Sequence, residues 1–275
     1  MSGVIIFSVL FVLLLTGTPI SIALGMTVLV FLAFFSSLSI DTISIVSQKL
    51  FTGLDNFSIM AIPFFVLSGA FLTSGGVARR IIHFATTLVG WMHGGLAMAA
   101  VLSCAFFAAI SGSSPATVLA IGSIMLPEML QQGYTKKFSV GVIATSGGLG
   151  ILIPPSIVMV IYGVSTSESI GRLFMAGIVP GIIMTLALLV VTYIVARKKK
   201  FPTLPRASLS EVWSAFRESG WGLFLVVIVI GGIYGGLFTP TEAAAVSAVY
   251  AFFVAVYVYK ELPLKAVPKV LLQAA

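Results

Sequence analysis

A short polar run constrains this chain more than any other feature. Residues 109–117 read AISGSSPAT, small and helix-breaking, and separate two apolar stretches, 94–110 and 118–130. Each flank is too short to cross a bilayer comfortably, because a crossing helix needs roughly 20 residues. Open backbone at that depth is tolerated only where it lines a cavity or is buried in protein. The lengths therefore predict a re-entrant hairpin that enters the membrane, turns near the middle and leaves on the same side, with a binding site at its tip.

The rest of the chain has to be read as membrane protein for that inference to hold. Charged residues make up 8% of it and hydrophobic ones 59%, with a mean hydropathy of +1.16, whereas a soluble domain carries about a quarter charged residues. Soluble folds, nucleic-acid binders and disulfide scaffolds are excluded. The net charge of +7 comes from short basic clusters between apolar runs, the pattern of the positive-inside rule. The single Cys104 reads as a small packing residue. No Lys or Arg precedes the apolar run 4–15, which is therefore expected to be a retained span rather than a cleaved leader.

In chain order, Thr18 and Pro19 are expected to cap and open a second helix running to about Phe35, and a polar interfacial piece over 36–56 carries Asp41, Lys49 and Asp55. A third span follows over 58–72. Residues 79–93 are amphipathic at helical spacing and too short to cross, which predicts a helix lying in the interface. Beyond the hairpin, the run TSGGLGILIPPS at 145–156 interrupts a span-length segment with three glycines and a double proline, and it predicts two half-helices joined by unwound backbone. Capping boxes are expected at Ser165/Glu168 and Ser208/Glu211. A span over 175–196 ends in the cluster RKKK, an amphipathic helix runs to about Glu218, and two last spans cover 221–237 and 240–259.

The Thr18-Pro19 step between two spans recurs as Thr239-Pro240, which suggests a repeat. If 79–93 lies flat, an odd number of crossings separates the copies and inverts the second, the arrangement of many secondary transporters. With the N-terminus outside, only Lys49 and Arg172 of the 15 Lys and Arg fall on the non-cytoplasmic face. The expected fold is all-α and polytopic, with an inverted repeat whose second copy is incomplete.

Two kinds of chemistry meet at the interruptions. The half-helix that returns from the tip, capped by Ser114 with Pro115 in its first turn, points free N–H groups and a positive dipole end at the membrane centre. Ser113, Ser114, Pro115 and Thr117, with Pro154, Pro155 and Ser156 of the second break, are the candidate ligands of an anion. Carbonyls and hydroxyls at Ser111, Gly112, Ser114, Thr145, Gly147 and Gly148 are the candidate ligands of a cation. None of the eight Asp and Glu lies in either interruption, so hard neutral oxygens favour Na⁺ over a proton as coupling ion. No other cofactor is expected. Trp91, Trp213 and Trp221 read as interfacial anchors.

The runs SGSSPAT (111–117), TSGGLGILIPPS (145–156) and GGLFTPTEAAA (235–245) together resemble the large membrane subunit of tripartite ATP-independent periplasmic (TRAP) transporters, over essentially the whole chain. The resemblance implies an ion-transporter-superfamily architecture and Na⁺-driven, elevator-like import of organic acid anions such as C4-dicarboxylates or sialic acid. It also implies a small four-helix membrane subunit and a periplasmic binding protein as partners, in the bacterial inner membrane. On that reading, scaffold helices and an interfacial arm occupy 1–93. Transport elements occupy 94–175, with the hairpin at about 94–132 and the broken helix at about 138–163. The last span of the first repeat covers 176–200, a cytoplasmic linker and amphipathic helix 201–219, and the start of the second repeat 220–275. Family members carry a second hairpin and broken helix that this sequence does not contain, so the chain alone is not expected to transport. The alternatives are a permease of the same superfamily that needs no binding protein, or a non-transporting assembly piece. An enzyme is disfavoured, since no His-Glu-x-x-His, paired intramembrane carboxylates or Ser/His constellation is found.

Overall fold

The computed structural model describes residues 2–35, 48, 51–53 and 55–274, with no strand among them. Among the described residues four helices are long and apolar enough to cross a membrane, or five if one bent pair is a single span. The protein is an all-α polytopic membrane protein. It divides into two units, Met1–Asn56 and Phe57–Ala275.

In the first unit α1 (Ser2–Leu15) and α2 (Ile20–Phe35) pack against each other. Gly17, at φ 79°, makes the reversal between them. Both helices are apolar all round, which suits lipid, yet at 14 and 16 residues they span only about 21–24 Å. The Thr18 hydroxyl does not cap α2. It donates to Leu13 O at 2.7 Å, beside Thr16 at 2.6 Å, because the carbonyls left open at the end of α1 are the nearest unsatisfied acceptors. The interfacial piece expected over 36–56 lies largely outside the described residues.

The second unit runs through α3 (Ala61–Ser74, entered by a 3-10 turn over Phe57–Met60), α4 (Val77–Val89), α5 (Gly95–Ser111), α6 (Ser114–Gln131), α7 (Lys136–Gly147), α8 (Leu149–Leu152), α9 (Ile157–Thr166), α10 (Ile170–Lys198), α11 (Leu209–Val226), α12 (Pro240–Phe253) and α13 (Val267–Ala274). Its hub is α5, where 14 of 17 residues are buried; a helix covered on all sides is packed in protein rather than in lipid. The small side chains of α5, Cys104 among them, let α4, α6, α7 and α10 approach it closely. Against this group stands a pair formed by α3 and α12, joined by a Ser68 Oγ–Ser247 O hydrogen bond of 3.3 Å and an edge-on Phe71–Phe252 contact of 5.5 Å.

The expected helix over 79–93 forms as α4, 13 residues long and strongly amphipathic. Its apolar stripe (Ile81, Ile82, Ala85) is buried by protein, with Phe84 packed on Phe106 at 5.9 Å and Phe216 at 5.6 Å. Both ends of α4 are fastened. At the start, Arg80 pairs with Glu261 at 2.6 Å, donates to Gly76 O and lies 3.9 Å above the Tyr259 ring. At the end, Leu204 N donates to Gly90 O at 3.0 Å and Arg206 stacks on Trp91.

Besides the Thr18 cap, two more sequence expectations fail. Ser165 and Glu168 form no capping box, because α9 runs on to Thr166 and Ser167 turns left-handed at φ 57°. Ser169 caps α10 instead, accepting from Arg172 N at 3.4 Å. The amphipathic helix from Ser208 and the span from Trp221 are one element: Ser219-Gly220 does not break it, and α11 continues through a π turn over Val227–Gly231 to Tyr234. The expected capping box Ser208/Glu211 forms, and Thr239 and Glu242 form another.

Candidate functional site

The polar run at 111–117 does turn the chain between two packed helices. Gly112, at φ 62°, ends α5 by donating to Ala108 O at 3.0 Å, the left-handed termination that glycine permits. Ser113, extended at φ −132°, caps α6 through Ala116 N at 3.5 Å. Ser114 was expected in that role and instead occupies the first helical position. The reason is that the left-handed turn needs only one residue, so the extended residue that can cap comes one place earlier. Inside the turn the hydroxyls of Ser111 and Thr117 bond each other at 3.1 Å, and Thr117 Oγ1 also donates to Ser113 O at 2.8 Å. Both side chains are buried, so they tie the arms of the turn together.

The second interruption differs from its expected form. The glycines at 147–150 do not unwind the helix: Gly148 N donates to Thr145 O at 3.2 Å and Ile151 N to Gly148 O at 3.1 Å, carrying the chain through α8. It opens only over 153–156, where the two prolines remove donors, and the halves Lys136–Leu152 and Ile157–Thr166 meet at 41°. Ser156 Oγ donates back to Ile151 O at 2.7 Å and so does not cap α9.

The two interruptions interlock. Ile157 N, the first donor of α9, reaches Gly112 O at 3.0 Å. A side chain on Gly112 would meet Pro155 O at 2.5 Å, one on Gly150 would meet Ser114 N at 2.7 Å, and one on Gly147 would meet Val118 Cγ2 at 2.1 Å. The N-terminal ends of α6 and α9 thus lie against the C-terminal ends of α5 and α8. Positive and negative helix ends therefore face one locality.

Of the residues named from sequence, the fold gathers Ser111, Gly112, Ser113, Ser114, Thr117, Gly147, Pro155 and Ser156 into this contact. Thr145 and Gly148 are exposed, and the Thr145 hydroxyl bonds its own helix at Gly141 O. Pro115 is exposed. Pro154 faces away, into an apolar cavity of about 400 Å³ shared with α5, α10 and α11. Sequence reasoning missed Gly150, and also Gly177 and Gly181 of α10. A side chain on Gly177 would meet Leu152 O at 2.6 Å and one on Gly181 would meet Ile153 Cγ1 at 2.8 Å. These two glycines seat the break, and their G-x-x-x-G spacing was a readable packing signal.

Comparison with known proteins decides the family. Residues 7–275 match the family described as Tripartite ATP-independent periplasmic transporter, DctM component. The chain belongs to the DctM family. Among its relatives, the C4-dicarboxylate TRAP transporter large permease protein DctM of Rhodobacter capsulatus is 58% identical over all of this chain and 65% of its own length. The protein of the same description from Pseudomonas aeruginosa is 56% identical over 85% of this chain and 55% of its own. The sialic acid TRAP transporter permease protein SiaT of Haemophilus influenzae is 37% identical over 92% of this chain and 41% of its own. The chain thus spans about two thirds or less of the length of these relatives. The DctM family is one of transporter permeases rather than enzymes.

Proposed function

We propose that the chain forms the ion- and substrate-binding half-site of a secondary transporter that imports small organic acid anions across the bacterial inner membrane, coupled to Na⁺. The meeting of four helix ends at Gly112, Ser114, Gly150 and Ile157 carries this reading. There the N-terminal turns of α6 and α9 suit a carboxylate, and the carbonyls ending α5 and α8, with the surrounding hydroxyls, suit Na⁺ as co-transported cargo. The names of the relatives support C4-dicarboxylates or sialic acid as the substrate class. The partners in this proposal are a small four-helix membrane subunit and a periplasmic binding protein, with an elevator-like movement of the hairpin and broken helix against α3 and α12. The N-terminus lies in the periplasm.

The test is uptake of a labelled C4-dicarboxylate or sialic acid into proteoliposomes carrying a permease in which this chain is joined to the second hairpin and broken helix that family members carry, with its small subunit and binding protein. Uptake is expected to follow an inward Na⁺ gradient and to stop when Na⁺ is replaced by K⁺. Undiminished uptake under a pH gradient without Na⁺ would sink the coupling assignment. Gly150→Val is expected to abolish uptake while the protein still inserts and associates with its small subunit; retained uptake would remove the tip from the mechanism.

A further inference from the structure

One end of the α7/α10 pair carries six cations: Lys136 and Lys137 open α7, while Arg197, Lys198, Lys199 and Lys200 close α10. Neither helix contains an Asp or Glu. Among the described residues the ion pairs lie elsewhere, at Arg79 and Arg80 with Glu261. The positive-inside rule accounts for such a cluster by itself, but not for the groove beneath it. Between the two helices runs a cavity of about 270 Å³ whose mouth is Lys137 and whose walls include Gly141, Val142, Leu188, Val191 and Val195. Lys199 is not part of the lining but reaches toward it, its Nζ lying 5.8 Å from the centroid of the Phe138 ring, which lines the cavity. No atom stands within 4 Å of where a side chain on Gly141 would be, so the channel is open at that level.

We propose that this groove binds an anionic phospholipid, its phosphate held between Lys137 and Lys199 and one acyl chain lying between α7 and α10. The dimensions agree. From Lys137 to Gly141 is about 6 Å along the helix, the depth of a glycerol ester below its phosphate. Below that level Val142, Leu188 and Val191 offer the apolar contact an acyl chain needs. A soluble phosphate would use the lysines and leave the groove idle, and a neutral lipid would do the reverse. Basic pockets between membrane helices favour anionic headgroups on the same grounds.

The experiment is native mass spectrometry of the full chain in detergent with dioleoyl phosphatidylglycerol, dioleoyl phosphatidylcholine or inorganic phosphate. Phosphatidylglycerol is expected to be retained over phosphatidylcholine, and Lys137→Gln and Lys199→Gln are each expected to weaken it about fivefold. Lys200→Gln, off the groove, is expected to change it less than about twofold on the same scale. Gly141→Leu fills the channel and is expected to lower phosphatidylglycerol retention; should that variant fail to fold, the lysine series decides. Equal losses at all three lysines would mean diffuse surface attraction and overturn the site. So would unchanged retention in a folded Gly141→Leu, or displacement of the lipid by millimolar inorganic phosphate.

Discussion

At Gly112 two demands meet that only glycine satisfies. Its φ of 62° is left-handed, and a side chain there would stand 2.5 Å from Pro155 O, a backbone atom with little room to move. The left-handed conformation alone costs an L residue about 1–2 kcal/mol, so Gly112→Ala is expected to destabilise the protein by about 2 kcal/mol or more. Cys104 is buried and supplies the measurement: its rate of labelling by a thiol-reactive dye during heating reports unfolding, and an unshifted transition would show that the tip and the break are not in contact. Thr117→Val keeps the shape but removes the hydroxyl that pairs with Ser111 and Ser113 O. The expected cost is smaller, about 1 kcal/mol, read in the same assay.

Among the elements, α4 shows how an amphipathic helix too short to cross is made rigid. Arg80 joins its first turn to Glu261 at 2.6 Å, with side chains 23% and 26% exposed, and also lies on Tyr259. That partial exposure tempers the pair, so a double-mutant cycle of Arg80→Ala and Glu261→Gln is expected to give a coupling of about 1 kcal/mol. Zero coupling would reduce the pair to a crossing of surface charges. Arg80→Lys is expected to recover only part of the stability, since an ammonium cannot both stack on Tyr259 and reach Gly76 O as the planar guanidinium does. The break between α8 and α9 teaches a different lesson. Glycine weakens a helix by only about 1 kcal/mol, and packing of Gly147 and Gly150 on α6 keeps it wound; proline removes the donor outright, so the chain opens at 153–156.

For the whole molecule, orientation is the testable consequence of the charge distribution. With Cys104 retained as a buried internal control, Ser2→Cys is expected to react with a membrane-impermeant maleimide in intact spheroplasts. Lys200→Cys is expected to react only after permeabilisation, and the reverse pattern would invert the proposed topology. Most of the architecture was legible in the residues. Hydropathy placed the long helices, the polar run at 111–117 marked a turn between two packed helices, and Thr239/Glu242 and Ser208/Glu211 marked helix starts, because these signals are local and written within a few residues. The false boundary at Ser219-Gly220 was an equally local pattern, in a helix held by packing distant in sequence, with Gly222 against Val77, whereas the false capping box at Ser165 gave way locally, where α9 runs on to Thr166. The sequence by itself determined that this protein lives in a bilayer as helices and that its backbone is interrupted at two glycine- and proline-bearing runs. Only the tertiary structure decided that those runs touch, that Ile157 donates to Gly112, and that Gly177 and Gly181 hold the break in place. The physical reason is that helix-end dipoles and close glycine contacts act over a few ångströms between segments far apart in sequence, as Gly112 and Ile157 are, a relation that no local pattern encodes.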